Sequence, residues 1–89
     1  MTQVEYDAEE VEKVIRWALS GGAHKRKTIN KNVTSYGLKH VVERTIRSYI
    51  SNDSFIEAMQ RLGYKRQKIR DTPNYRFNIT YMRSPNAFV

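Results

Sequence analysis

Residues 35–63 read SYGLKHVVERTIRSYISNDSFIEAMQRLG, and this stretch decides the fold. Behind Ser35, an expected N-cap, the residues Leu38, Val41, Val42, Thr45, Ile46, Tyr49 and Ile50 recur at helical spacing and predict one amphipathic helix. Ser51-Asn52 breaks it and caps a second helix. That helix has Phe55, Ile56, Met59 and Leu62 as its inner face, leaves Ser54, Glu57, Gln60 and Arg61 outward, and stops at Gly63. Two short helices joined by a tight turn make a helix-turn-helix.

A basic hairpin follows. Lys65, Arg66, Lys68 and Arg70 line its first strand, and Asp71-Thr72-Pro73-Asn74 supplies the turn, Pro73 setting φ and Asn74 tolerating unusual backbone angles. Tyr75, Phe77, Ile79 and Tyr81 alternate with Arg76, Asn78 and Thr80, the period of a half-buried strand with the second set outward. Residues 83–89 read as a flexible end.

Upstream, Asp7 with Glu10 three residues on reads as a capping box for another helix. Val11, Val14, Ile15, Ala18 and Leu19 form its buried face, Trp17 flanks that face, and Gly21-Gly22 ends it. Residues 23–34 form a polar connection carrying the run Lys25-Arg26-Lys27, with Ile29 and Val33 turned inward; a short strand at Thr28–Ile29 would complete the sheet. The expected fold class is α+β: one domain over residues 1–82, a three-helix winged helix-turn-helix with a C-terminal basic β-hairpin.

Charge supplies the partner. Five of the nine acidic residues (Glu5, Asp7, Glu9, Glu10, Glu12) precede every one of the sixteen lysines and arginines, so residues 13–89 carry sixteen cations against four anions, +12. Such a field attracts a polyanion. The 39% hydrophobic and 11% aromatic content suffices for a small core and argues against a disordered tail. With no cysteine, disulfides and thiolate metal sites are excluded. No apolar run approaches the roughly 18 residues of a membrane span, and the acidic N-terminus is unlike a signal peptide, so a soluble cytoplasmic protein is expected.

Enzyme chemistry finds no footing. His24 and His40 lack a second ligand at metal spacing, and no Gly-rich phosphate loop, nucleophile elbow or carboxylate pair occurs. No cofactor, metal or catalytic residue is expected. For DNA, the second helix of the pair would enter the major groove with Ser54, Gln60 and Arg61 able to meet base edges. Lys65, Arg66, Lys68, Arg70 and Arg76 would lie along phosphate or in a minor groove, with Lys25, Arg26 and Lys27 clamping backbone from the side. Tyr64, Tyr75, Phe77 and Tyr81 interleave with arginines, which also suits stacking on single strands. Alternation assigns Tyr75, Phe77 and Tyr81 to the core side, so double-stranded DNA ranks first and single-stranded or fork DNA second.

The segments Ser35-Tyr36-Gly37-Leu38-Lys39-His40, Tyr49-Ile50-Ser51-Asn52 and Phe55-Ile56-Glu57-Ala58-Met59 resemble a group of small, mostly uncharacterised proteins of bacteriophages and other mobile elements, over roughly residues 27–80. Residues 51–80 are similar, more loosely, to the winged-helix C-terminal module of phage and plasmid primase-helicases. These resemblances imply a winged helix acting in transcription or replication control inside a bacterial host cell. Helix formation accounts for every residue of the first segment except Lys39 and His40, expected to face solvent and contact a partner. The rival expectation is a protein that binds and inhibits or redirects a host protein. A homodimer through Trp17 and the first helix is a further arrangement the sequence allows.

Overall fold

The computed structural model describes residues 5–81, an α+β arrangement of three helices and two small antiparallel sheets. The end expected over residues 83–89 lies outside the described residues. Helix α1 (Ala8–Trp17) starts at Asp7, whose carboxylate accepts the Glu9 and Glu10 N–H groups at 2.8 and 3.1 Å. Glu10 does not return the bond, so the expected capping box is corrected. Its Oε1 accepts the Ser51 N–H at 3.0 Å and the Ser54 hydroxyl at 2.8 Å, while the Asp7 N–H donates to Ser54 Oγ at 3.0 Å. The start of α1, capped by Asp7, is thereby also bonded to the start of the third helix.

Val11, Val14 and Trp17 are buried, but Leu19 is 74% exposed, against expectation. The helical geometry ends directly after Leu19, where Ser20 and Gly21 (φ 105°) kink the chain, so Leu19 sits at the open end of the stripe with nothing packed over it. Trp17 is a core member, 6% exposed.

Helix α2 (Ser35–Ile46) is capped by Thr34, whose hydroxyl accepts the Gly37 N–H at 3.0 Å. Ser35 is instead the first helical residue, buried, its hydroxyl accepting the Tyr75 N–H at 3.1 Å. The helix stops four residues earlier than its apolar period suggests because Arg47 takes a left-handed φ of 58°. Tyr49 therefore leaves the helical phase and is exposed, while Ile50 is buried. Ser51 caps helix α3 (Asn52–Arg61), and Gly63 at φ 83° ends it. There the Tyr64 N–H reaches the Met59 carbonyl at 3.0 Å and the Gly63 N–H the Gln60 carbonyl at 3.1 Å, a Schellman pair.

Strand β1 (Ala23–Lys25) pairs antiparallel with β4 (Ile79–Tyr81), and β2 (Arg66–Lys68) with β3 (Tyr75–Phe77). The upstream strand thus lies at Ala23–Lys25, not at Thr28–Ile29. In the hairpin turn Asp71, rather than Asn74, adopts positive φ, 64°. The core gathers Leu38, Ile50, Phe55, Met59, Phe77 and Ile79, with the Phe55 and Phe77 rings edge-on at 5.9 Å. Phe77 belongs to the hairpin and Phe55 to α3, so this contact seats the hairpin against the helices. Among the described residues no helix is long and apolar enough to cross a membrane.

Candidate nucleic-acid interface

The candidate surface is built around Asn78, which strand alternation expects to face solvent and which is only 4% exposed. It interrupts the strand between β3 and β4. Its Oδ1 accepts the Lys65 N–H at 2.7 Å and its Nδ2 donates to the Arg26 carbonyl at 2.8 Å. Its backbone repeats the pairing: the Asn78 N–H donates to the Lys65 carbonyl at 3.2 Å, and the Arg26 N–H donates to the Asn78 carbonyl at 2.9 Å. A single amide side chain therefore joins two basic runs far apart in sequence.

Around that junction Lys25, Arg26, Lys27, Lys65, Arg66, Lys68 and Arg70 are all exposed. Lys25 lies over the Tyr64 ring, Nζ to centroid 5.6 Å, next to Gly63, where an added Cβ would sit 3.2 Å from that Nζ. Burial pushes the Tyr64 hydroxyl above its ordinary value, so the ring stays neutral beneath the ammonium. Arg66 and Lys68 share the Tyr75 ring, at 4.7 and 5.5 Å, and Arg66 also donates to Gln60 Oε1 at 3.3 Å. Lys68 further bonds the Thr72 carbonyl. The basic edge consequently reaches the C-terminal end of α3, where Gln60 and Arg61 are exposed.

The remaining candidates divide. Ser54 does not face outward: it is fully buried, bonded to Glu10, Asp7 and Ser51 where α1 crosses the start of α3. Lys39 does not face solvent either, being 6% exposed. Its ammonium lies between the Tyr36 and Tyr49 rings, at 5.3 and 5.0 Å, and bonds Glu43 Oε2 at 3.1 Å. His40 is half-buried, its Nδ1 2.9 Å from Glu43 Oε1 and its ring edge-on to Tyr36. Glu43 also accepts the Ile50 N–H at 3.0 Å, closing the turn between α2 and α3. Burial alone would raise the Glu43 carboxyl, but the Ile50 N–H, Lys39 and His40 outweigh it and hold the group below its ordinary 4.5. The segment that helix formation did not explain is thus a structural knot on α2.

Arg61 is tied to Glu57 at 2.8 Å and to the Tyr6 hydroxyl at 3.0 Å, an arrangement that raises its pKa further. Arg76 is half-buried, with no hydrogen-bond partner for its Nε among the described residues. Between α3 and the hairpin runs a groove of about 310 Å³. One wall carries Glu5, Asp53 and Glu57, and the other Arg66, Lys68 and Tyr75. The outward side of α3 is therefore acidic toward its N-terminus. Sequence reasoning missed both Asn78 and the exposed Gln67 between Arg66 and Lys68; an unalternated polar strand, RQK, was the available signal for the latter.

Among the described residues no group of three or more His, Asp or Glu is placed to hold a metal ion. Compared with protein-family models, curated proteins and solved structures, the chain matches none.

Proposed function

We propose that this chain is a winged helix-turn-helix that binds duplex DNA through its basic edge, in control of transcription or replication of a phage or mobile element. The element order supports the winged-helix reading: helix, strand, two helices across a tight turn, then a hairpin whose last strand continues to pair with the first. The observation that carries the DNA reading is the junction at Asn78, which brings Lys25–Lys27 and Lys65–Lys68 together. Among the described residues none of the cations of these two runs takes part in an ion pair. An unneutralised ridge of this kind suits phosphate.

Duplex ranks above single strand because the aromatic faces are occupied. Phe77 is buried, and Tyr75 is covered by Arg66 and Lys68. The mobile-element setting rests on the residue resemblance over 27–80.

Anisotropy titration of a random 30-base-pair duplex and the matching single strand, at ~50 and ~200 mM salt, tests the proposal. With six to eight phosphates neutralised, duplex affinity falls by roughly three to four orders of magnitude across that range. Absence of binding at low salt would overturn it. A second reading, docking on a host protein, draws on Tyr36 and Tyr49, 53% and 66% exposed around a lysine already neutralised by Glu43. Stoichiometric co-purification of a host polypeptide, lost in Tyr36→Ala with Tyr49→Ala, would favour it.

A further inference from the structure

We infer that the β2–β3 hairpin, not α3, enters the major groove, and that Gln67 and Arg76 are the residues that read base edges. This rests on the DNA-binding reading above. The first ground is electrostatic. The outward side of α3 offers Asp53, with Glu5 beside it on the same groove wall, while Glu57 and Arg61 offset each other in an ion pair. Driving that wall between two phosphate backbones sets like charges together. The base-contacting serine expected there is buried, and Arg61 is held by Glu57 and Tyr6. The hairpin has the opposite character: Arg66, Lys68 and Arg70 project from it and Asp71 is its sole acid.

The second ground is geometric. A two-stranded ribbon fits the major groove as an α-helix does. Side chains of a strand alternate between faces, and directly paired residues share one. Arg66 and Lys68 lie over Tyr75 on the side of the α3 groove. Gln67, paired with Arg76, therefore occupies the opposite face. Gln67 is exposed; Arg76 is half-buried, and its buried Nε has no hydrogen-bond partner among the described residues, so the guanidinium is not committed to the protein through that atom. A glutamine matches the N6 and N7 edge of adenine, and an arginine the O6 and N7 edge of guanine. The two lie directly across the ribbon from each other.

The absence of cysteine makes the test direct, because a single introduced thiol is the only one present. Gln67→Cys and Asp53→Cys variants of the full chain, checked for folding by circular dichroism, are alkylated with a maleimide with and without saturating duplex, while anisotropy records binding by the unmodified chain. The expected result is duplex binding with alkylation slowed about ten-fold or more at position 67 and less than about two-fold at position 53, as burial in a groove dictates. Binding with protection at position 53 equal to or greater than that at 67 overturns the inference and leaves the DNA reading intact. No binding by the unmodified chain overturns the DNA reading and the inference with it.

Discussion

Asn78 and Arg26 hold each other through two bonds: the Arg26 N–H donates to the Asn78 carbonyl at 2.9 Å, and Asn78 Nδ2 donates to the Arg26 carbonyl at 2.8 Å. With Oδ1 on the Lys65 N–H, this buried amide spends its acceptor and a donor on the two basic runs.

Replacing Asn78 by alanine leaves the Lys65 N–H and Arg26 carbonyl without their side-chain partners. The expected cost is about 2 kcal/mol, read as a lower urea midpoint with an unchanged slope. Duplex affinity should fall as well, although no charge is removed, because the two basic runs lose their common anchor.

Glu43 makes stability depend on pH. Its folded pKa lies below the ordinary 4.5, so its contribution is fully present above that value and is lost as pH falls through the lowered folded pKa. Glu43→Gln should be less stable than the parent by about 2 kcal/mol at pH 7, where Lys39 loses its partner. The gap should narrow progressively below about pH 4.5 in urea titrations. A constant gap from pH 7 to pH 3 would contradict this role.

Gly22 admits no side chain for a steric reason. It is buried, and a Cβ there would overlap the Trp17 indole. Gly22→Ala should destabilise by about 1–3 kcal/mol, as overpacking does. Trp17→Phe relieves the ring contact but not the one with the Trp17 carbonyl oxygen, so it should recover only part of the loss of Gly22→Ala and none of that of Gly21→Ala, whose Cβ meets open space and whose cost is backbone strain at φ 105°. Thermal midpoints of the single and double variants decide this.

Lysines that look alike in sequence should separate in salt titrations. Lys68→Ala removes an exposed edge cation and should reduce the slope of log affinity against log salt by about 0.9. Lys39→Met should leave that slope unchanged and instead lower the urea midpoint, since its ammonium is buried against Glu43. Equal slope changes for the two would show that Lys39 meets phosphate after all.

The parts of the fold legible in the sequence were those made by near neighbours. Asp7 and Ser51 as caps, Gly63 as the stop of α3, and the alternation of Tyr75, Phe77 and Ile79 all rest on spacings of a few residues. Ser54 and Lys39 misled because both sit at helical phases beside the apolar stripe, where a short hydroxyl or a long aliphatic stem can turn either way. Glu10, forty-four positions before Ser54, decides the first, and Glu43 with the out-of-phase Tyr49 decides the second. Asn78 belongs to the same class, since its partner Arg26 lies fifty-two positions away.

By itself, then, the sequence determined three helices, a basic hairpin and a body strongly positive after residue 12, because periodicity, caps and charge are properties of short stretches. Only the tertiary structure decided which polar groups would be spent inside the protein and which cations would share one edge. Those outcomes depend on a buried donor or acceptor finding its complement in a remote segment, and the desolvation cost of leaving it unpaired selects that pairing once the chain has folded.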